Sequence, residues 1–399
     1  MLLSLGSLSA QPLTLDQALQ QANTRNATLQ IGGLGVQAQQ AGRLSARDIG
    51  RLNVSATLGQ YNSRKFDNNL IANQILPNPQ LIRQSLALAD AQILGQERRV
   101  AVSQNDVRYQ VRSVYQELLY LHERARQLAR QDSLLAEFVQ AATVRVRAGE
   151  AAPLEQATAE SQRAQQRLAM ARTAADISNS RATLQTLLNS PDAVDAAPAR
   201  LVALPLSVRF DSATVRQNPL LGLLTQQISV AGAARAVDEA RLKPDFLVGI
   251  FSQTLIGNQL FGGQEVYYNA AHRFFGGQVG VSFPLVRGPQ RARIAAARIN
   301  EQIAQTELTS QQRALQTALD RAGRQYALYR SAMADYERDG LTQADRIADN
   351  ARKSFRAGDI GYVEFSLALQ QALNIRLAYL DVINLLNQSV IEIDYLTGF

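Results

Sequence analysis

Residues 79–147 read PQLIRQSLALADAQILGQERRVAVSQNDVRYQVRSVYQELLYLHERARQLARQDSLLAEFVQAATVRVR, and they carry an apolar residue at every seventh position without a break. These positions are Leu86, Ile93, Val100, Val107, Val114, Leu121, Leu128, Leu135 and Ala142. A heptad pattern sustained over this length is typical of supercoiled helix packing and not of a helix in a globular core. Because no proline follows Pro79 in this segment, we expect one helical rod of ~100 Å at ~1.5 Å per residue.

Two short motifs occur twice, far apart in the chain. Arg147-Ala148-Gly149-Glu150 recurs as Arg356-Ala357-Gly358-Asp359, and upstream Asn26-Ala27-Thr28-Leu29 has a counterpart in Asn218-Pro219-Leu220-Leu221. Motifs in the same order in both halves indicate a duplicated unit. We therefore predict a tandem repeat with its joint in the Pro-, Ala- and Asp-rich stretch 190–205.

Each repeat is expected to contain short helices, a β-hairpin, a long helix and a returning helix. The first repeat covers 11–205, with the hairpin at about 52–76, the long helix at about 79–147 and the return helix at about 152–189. The second covers 206–399, with the same elements at about 245–286, about 289–356 and about 361–397. Thr14-Leu15-Asp16-Gln17 is a capping-box pattern that opens the first short helix. Asn26 and Asn218 are suited to cap the helices that follow them.

The returning helices carry seven-residue patterns of their own. Small residues dominate the first pattern, which predicts close helix approach: Leu154, Ala157, Ser161, Ala164, Leu168, Ala171, Ala175, Ser178 and Ala182. Larger residues form the second: Phe365, Leu369, Ala372, Tyr379, Ile383, Leu386, Val390 and Ile393. Gly149 and Gly358 fall at the tips of the two helical hairpins, where a left-handed backbone favours glycine.

The segments before each long helix alternate between apolar and polar residues, as amphipathic strands do. Residues 53–61 place Val54, Ala56 and Leu58 on one face, and residues 278–283 place Val279, Val281 and Phe283 there. Phe246, Val248 and Ile250 mark a third strand, and 70–76 a weaker fourth. Two hairpins could pack on the helices of a soluble α+β protein. An open four-stranded sheet leaves unpaired edges, however, and closure with other copies of the chain removes them.

Composition excludes several classes of protein. The net charge is +7, and of 41 basic residues only Lys65, Lys243 and Lys353 are lysines. The arginines are spread among Glu, Asp and Gln without a dense basic tract, which argues against nucleic-acid binding. Cysteine is absent, so disulfides, thiol catalysis and cysteine metal sites are excluded. We find no carboxylate pair, Ser/His/Asp set, phosphate loop or metal-ligand spacing around His122 and His272, and we expect no enzyme and no cofactor.

The N-terminus has the character of a targeting segment. Residues 1–10 read MLLSLGSLSA, which resembles the apolar region and cleavage site of a secretory signal peptide without its positively charged start. The alternative is an ordinary N-terminal tail. No other stretch reaches the ~18 apolar residues that a membrane helix needs, so any membrane contact would be made by strands.

The chain resembles the TolC family of outer-membrane efflux proteins. The matching features are Leu13-Thr14-Leu15-Asp16-Gln17-Ala18-Leu19, the Asn218-Pro219 helix start, Val279-Gly280-Val281-Ser282-Phe283-Pro284-Leu285 and the two Arg-Ala-Gly-acid tips. The resemblance implies a mainly α protein with transmembrane β, forming a trimeric 12-stranded β-barrel above a 12-helix periplasmic α-barrel. It also implies a bacterial outer-membrane exit duct in a tripartite, RND-type pump, partnered by a periplasmic adaptor and an inner-membrane transporter. Residues 226–399 look most like members that serve metal-cation efflux.

The same resemblance assigns roles to the tips. Family tips dock the adaptor, and acids near them line the closed periplasmic entrance. Carried over to this chain, the adaptor-docking residues are Arg147, Gly149, Arg356 and Gly358, and the aperture candidates are Glu150 and Asp359. Ordinary glycine turns with solvated acids are the alternative. For the whole chain, the alternative function is a periplasmic or cytoplasmic coiled-coil scaffold without a membrane channel.

Overall fold

The computed structural model describes residues 11–60, 64–206 and 214–399. The signal-like segment 1–10 and Tyr61, the last residue of the expected first strand, lie outside the described residues. The contacts divide the chain into two compact units. Of the described residues, the helical unit comprises 11–32, 100–206, 214–221 and 310–399, and the sheet unit comprises 33–60, 64–99 and 222–309.

The elements follow one another in the order expected of two similar halves. They are β1 (Gln11–Leu13), α1 (Leu15–Arg25), α2 (Ala27–Gly42), β2 (Asn53–Gly59), β3 (Asp67–Leu76), α3 (Pro79–Arg147), α4 (Pro153–Leu188), β4 (Val194–Ala196), α5 (Pro219–Ala240), β5 (Asp245–Gln253), β6 (Gly257–Phe261), β7 (Gln264–Tyr268), β8 (Phe274–Ser282), α6 (Gly288–Asp335), α7 (Leu341–Ala357) and α8 (Tyr362–Thr397). Both compact units draw residues from both halves of the sequence, so the division into two repeats stays a prediction.

Helix α3 is one unbroken helix of 69 residues. From Val107 onward its heptad residues are buried, except that Val114 is partly buried: Val107, Leu121, Leu128, Leu135 and Ala142. Val111 and Leu118, four residues after Val107 and Val114, are buried as well. Val111 and Leu118 pack in the core of the helical unit with Ala18 of α1, Leu184 of α4 and Val194 of β4. The seven-residue pattern therefore identified the packed face of α3 correctly.

The small-residue pattern predicted for α4 does not lie on the face of α4 that packs within the chain. Leu154 and Leu168 on that pattern are exposed, and so are the alanines and serines between and after them. The buried residues are Ala159, Gln166, Thr173, Ile177, Leu184 and Leu188. Two of the buried residues are polar, and each makes a side-chain hydrogen bond. The Gln166 side-chain amide donates to the Leu128 carbonyl at 2.7 Å, and the Thr173 hydroxyl donates to the Ala169 carbonyl at 3.0 Å. Because two of the buried residues are polar, a search for apolar residues at heptad spacing does not find this face.

The second long helix, expected as one segment over about 289–356, is divided into α6 and α7 by a π-turn at Tyr336–Gly340. Buried Ala322 and Ala344 lie twenty-two residues apart, one more than three heptads, and Ala351 follows Ala344 by seven. A π-helical turn contains one extra residue. This residue accounts for the offset, so the seven-residue spacing of buried positions continues in α7. A Cβ at Gly340 would lie 2.8 Å from Cδ1 of Tyr336, which explains why a glycine occupies this turn.

Two asparagines make equivalent contacts in the two halves of the helical unit. The Asn26 side chain accepts from the Thr28 amide at 2.9 Å and donates to the Leu187 carbonyl at 2.8 Å. The Asn218 side chain accepts from the Leu220 amide at 2.9 Å and donates to the Leu396 carbonyl at 3.0 Å. Each asparagine therefore caps its helix, as expected, and also satisfies the carboxyl end of the returning helix in its own half.

The joint between the halves is fixed to the helical unit by backbone pairing. Strand β1 pairs in parallel with β4, and Pro12 lies opposite Asp195. Further along, the fully buried Asn387 of α8 donates to the Val202 carbonyl at 2.8 Å and accepts from the Leu204 amide at 2.7 Å. Neither contact was predicted, because each joins residues far apart in sequence.

The sheet unit contains a four-stranded antiparallel sheet in the order β2-β3-β5-β8. The hairpin of the first half joins that of the second through β3 and β5, where Ala72 lies opposite Ile250. Strands β6 and β7 form a separate hairpin with Gly262 and Gly263 at its turn, both at positive φ. This hairpin was not predicted, although Gly-Gly between two short strands is a recognised hairpin pattern.

Candidate functional site

The first tip begins where α3 ends at Arg147. Gly149 has φ 75°, its amide donates to the Val146 carbonyl at 3.1 Å, and the Glu150 amide donates to the Arg145 carbonyl at 2.9 Å. This pair of bonds is the Schellman arrangement, which satisfies carbonyls that a helix end leaves unpaired. A left-handed glycine is what makes the reversal possible.

The second tip repeats the same geometry at the end of α7. Gly358 has φ 81°, its amide donates to the Phe355 carbonyl at 3.2 Å, and the Asp359 amide donates to the Ser354 carbonyl at 2.9 Å. Donors and acceptors have the same spacing as in the first tip. The left-handed conformation expected of Gly149 and Gly358 is therefore confirmed, whereas their role in docking stays a prediction.

The acids that follow each tip at the same distance, Glu155 and Glu364, stabilise the turns in different ways. Glu155 forms an ion pair with Arg145 at 3.1 Å, across the hairpin. The Glu364 carboxylate instead accepts from the amide of Gly361, the N-cap residue immediately before α8, at 3.2 Å. Both tips are thus fixed by an acid in the first turn of the returning helix, where negative charge is favourable.

The charged residues predicted at the tips point into solvent. Arg147, Glu150, Arg356 and Asp359 are exposed. In the described part of the chain, none of the four side chains forms an ion pair or hydrogen bond, and no contact joins Glu150 to Asp359. The tips therefore present exposed backbone, small residues and four charges that are not engaged within the chain.

An aromatic cluster lies directly behind the tips and connects the two hairpins. It consists of Phe138 of α3, Phe355 of α7, and Tyr362 and Phe365 of α8. Phe138 and Phe365 have ring centroids 4.5 Å apart, and Phe355 and Phe365 are 4.7 Å apart. Sequence reasoning placed Phe365 in a helical seam but missed the cluster. Only 6% of the residues in the chain are aromatic, so several aromatic residues close to the tips are a sequence pattern that could have indicated this cluster.

Farther along the helical unit, polar contacts join α3 to α8. Arg112 pairs with the buried Asp394 at 2.7 Å, and Arg124 pairs with Asp381 at 3.1 Å. The Tyr120 hydroxyl also donates to Asp381, at 2.6 Å. Burial raises the pKa of Tyr120 to about 12, and the hydrogen bond to Asp381 adds to the effect, so the hydroxyl stays a donor.

His122, for which the sequence predicts no role, belongs to a small charged cluster beside β4. Its Nε2 lies 2.9 Å from Asp195, and Arg181 pairs with the other oxygen of the same carboxylate. Burial raises the pKa of Asp195, but the hydrogen bonds from His122 and Arg181 outweigh it and lower the pKa to about 2. No group of three or more His, Asp or Glu side chains suited to a metal ion is found among residues 11–60, 64–206 and 214–399.

The second candidate surface is one face of the four-stranded sheet. The register places Val54, Ala72, Ile250 and Gly277 in one row across the four strands, and Gln74, Val248 and Val279 in the next. Val54, Ile250 and Val279 are 67%, 68% and 85% exposed. The opposite face carries polar residues at Asn53, Ser55, Asn73, Gln278 and Ser282, mixed with apolar ones such as Leu247 and Phe251.

The edges of this sheet are also open. Strands β2 and β8 each pair on one side only, and such edges readily accept a further strand. A contiguous exposed apolar face marks an interaction surface with lipid or protein. Among the described helices, none has both the length and the apolar character needed to cross a membrane.

Comparison with known proteins gives a consistent picture of the fold. No family model matches the chain. The cobalt-zinc-cadmium resistance protein CzcC of Cupriavidus metallidurans is 23% identical over 396 residues, which are 98% of this chain and 91% of CzcC. The solved outer-membrane channel OprN matches with a TM-score of 0.80 at 19% identity, over 96% of this chain and 89% of OprN. CusC, solved in connection with transmembrane channel formation, gives 0.78 at 16% identity, over 99% and 95%.

These matches extend over nearly the whole chain and over both halves of the sequence. The chain therefore has the fold of TolC-like outer-membrane channels, and the resemblance inferred from the sequence is confirmed. The fold class, long helices in two hairpins combined with a four-stranded sheet, is confirmed as well.

Proposed function

We propose, on the premise of this fold, that the chain is the outer-membrane channel of a tripartite efflux pump and serves as a passive exit duct. The observation that carries the proposal is the sheet with an exposed apolar face and two open edges, in a chain whose helix α3 has 69 residues. In a bilayer every backbone polar group needs a partner, and a closed barrel is how strands meet that need.

Closure requires other copies of the chain. Edge strand β2 of one copy would pair with edge strand β8 of the next, and three copies with four strands each would give a twelve-stranded barrel. The face with Val54, Ile250 and Val279 would contact lipid, while the face with Asn53, Asn73 and Gln278 would line water. The localisation that follows is the outer membrane, with the helices in the periplasm.

The exposed pattern on α4 supports the same assembly. Leu154 is 74% exposed and Leu168 is 54% exposed, and small residues lie between them at heptad spacing. In a homotrimer these residues would pack against helices of the neighbouring copy. Four long helical segments per chain, α3, α4, α6 with α7, and α8, would give the twelve helices of a periplasmic tunnel.

The partners that we propose are a periplasmic adaptor and an inner-membrane transporter. The adaptor would dock on the two tips, with Gly149 and Gly358 shaping the surface and Arg147 and Arg356 beside them. The matching Schellman geometry of the tips and their exposure support this assignment. Glu150 and Asp359 would line the periplasmic aperture, where a trimer would bring like charges together and favour cations.

For the cargo, we propose metal cations. The support is the likeness to CzcC, whose name refers to cobalt, zinc and cadmium resistance, and the resemblance of residues 226–399 to metal-efflux members. The metal would be a passing substrate of the duct, and the inner-membrane transporter would select it.

Cell fractionation with a phenotype tests the proposal. The chain should sediment with the outer membrane, resist extraction by high salt and form a homotrimer. Deletion of its gene should lower the tolerance of cells to cobalt, zinc or cadmium, and the intact gene should restore it. Recovery in the soluble fraction would contradict the duct and favour a coiled-coil scaffold. An outer-membrane trimer with unchanged metal tolerance would support the function as a duct and contradict the assignment of metal cations as its cargo.

A further inference from the structure

A cleft of about 500 Å³ opens in the helical unit between α3, the linker that follows β4, α7 and α8. Four arginines from three of these segments line it. Arg126 and Arg130 come from α3, Arg200 from the linker and Arg376 from α8. The proposed duct function assigns no role to these four side chains.

Only two of the four arginines have a counter-charge. Arg126 pairs with Glu123 at 2.6 Å, and Arg376 pairs with Asp345. Within the described residues, Arg130 and Arg200 form no ion pair and no hydrogen bond. The lining contains no other acid, so the cleft carries two uncompensated positive charges.

Arg130 and Arg200 are both exposed, so water and salt screen the repulsion between them and leave both guanidinium groups accessible to an anion. An anion placed between Arg130 and Arg200 would supply the missing counter-charge. Guanidinium groups bind carboxylate and phosphate oxygens in a bidentate manner, which defines the polar part of the ligand.

Apart from Gln127 and the paired acids Glu123 and Asp345, the remaining wall of the cleft is mostly apolar. Leu201, Leu341, Leu380 and Ile383 line it together with Tyr379. The Tyr379 hydroxyl donates to Glu337 at 2.9 Å, so the hydroxyl is already engaged. The volume lies in the range of small-molecule sites, about 300–1,000 Å³.

We infer that this cleft binds a small organic anion, with its carboxylate or phosphate group between Arg130 and Arg200 and its apolar body against the leucines. The bound anion would connect α3 of the first half, the linker and α8 of the second half. Binding would therefore stabilise the helical unit as well as fill the cleft.

Titration calorimetry on the full-length protein in detergent tests the inference. The probes are phenyl phosphate, benzoate and the uncharged benzyl alcohol, at fixed ionic strength. We expect saturable binding of one anion per chain and none of benzyl alcohol. The two anions distinguish a phosphate site from a carboxylate site. The double variant Arg130→Gln with Arg200→Gln should weaken binding by about tenfold or more, since hydrogen bonds to charged groups are strong.

The control variant combines Arg25→Gln with Arg172→Gln. Both are exposed residues outside the cleft, and this variant should bind as the unaltered protein does. Thermal unfolding without ligand should leave the cleft variant about as stable as the unaltered protein, because both arginines are exposed and make no ion pair or hydrogen bond within the described residues. Absence of saturable anion binding, equal binding by the cleft variant, or a lower melting temperature of that variant without ligand would each overturn the inference.

Discussion

The side of the sheet that contacts lipid can be tested at the middle of strand β8. Val279 is 85% exposed, lies one residue past the centre of Phe274–Ser282, and is opposite Val248 on β5. Its neighbour Gln278 points to the other face and is opposite Gly249, which has no side chain to obstruct a larger residue. We compare Val279→Arg with Gln278→Lys.

If the apolar face contacts lipid, an arginine near the bilayer midplane costs ~2–4 kcal/mol per chain. Three copies in a trimer bring the total to about 6–12 kcal/mol, comparable with the whole stability of many proteins. Val281→Arg, near the strand end, should be milder because the cost falls to ~0–1 kcal/mol toward the interfaces. Gln278→Lys should be tolerated, since its face lines water.

The assay is the amount of heat-resistant trimer in outer membranes, measured on gels run without boiling, with total expression as the reference. We expect Val279→Arg to lose nearly all trimer, Val281→Arg to lose part of it, and Gln278→Lys to keep it. Equal yields for Val279→Arg and Gln278→Lys would refute the assignment of the two faces.

Three further predictions concern the helical unit. Leu118 is fully buried in the core, so Leu118→Ala should lower the stability of the folded protein by ~2–5 kcal/mol. Glu137→Ala, on the exposed side of α3, should change the stability little. Equal melting temperatures for the two variants would contradict the heptad packing. The pKa of Asp195 is lowered to about 2 from its ordinary 3.8. Its ion pairs therefore add about 2 kcal/mol to the stability of the folded protein above pH 4. This contribution is lost as the pH falls toward 2. Asp195→Asn should therefore lower the melting temperature at pH 7 and flatten its dependence on pH between 4 and 2; an unchanged profile would argue against the cluster with His122 and Arg181. Finally, Gly149→Val with Gly358→Val should abolish efflux and adaptor crosslinking, because each substitution strains a left-handed turn by ~1–2 kcal/mol and covers exposed backbone; normal trimer with normal efflux would exclude docking at the tips.

The features that the sequence predicted correctly are local ones. The heptad of α3 repeats within one helix, and the tips at Gly149 and Gly358 combine a helix end with a residue that tolerates positive φ. Strand alternation at Val279 and Val281 likewise depends on neighbouring residues. In each case a short segment contains all the information that decides its conformation.

The features that the sequence missed depend on distant residues or on satisfied polar groups. Arg112 and Asp394 lie 282 positions apart, and no local pattern joins them. Gln166 is buried and donates a hydrogen bond to the Leu128 carbonyl, so a search for apolar residues misses the face of α4 that packs within the chain. The π-turn at Tyr336–Gly340 changes the register by one residue, which is visible only when the buried positions on both sides are known.

The closed barrel is the central claim, and pairing between β2 and β8 of different copies tests it most directly. Within one chain these strands are separated by β3 and β5, about 14 Å at ~4.8 Å per strand, and a disulfide needs Cα atoms within ~7 Å. The chain has no cysteine, so engineered pairs give an unambiguous readout.

The measurement places one cysteine in β2, Ser55→Cys, and combines it with Gly276→Cys, Gln278→Cys or Gly280→Cys in β8. Each double variant is oxidised in outer membranes and resolved on non-reducing gels, with the four single variants as controls. We expect at least one pair to give covalent dimers and then trimers, with nothing larger, because three copies close the ring. Monomers alone from all three pairs, or a ladder that extends beyond trimer, would contradict a closed trimeric barrel.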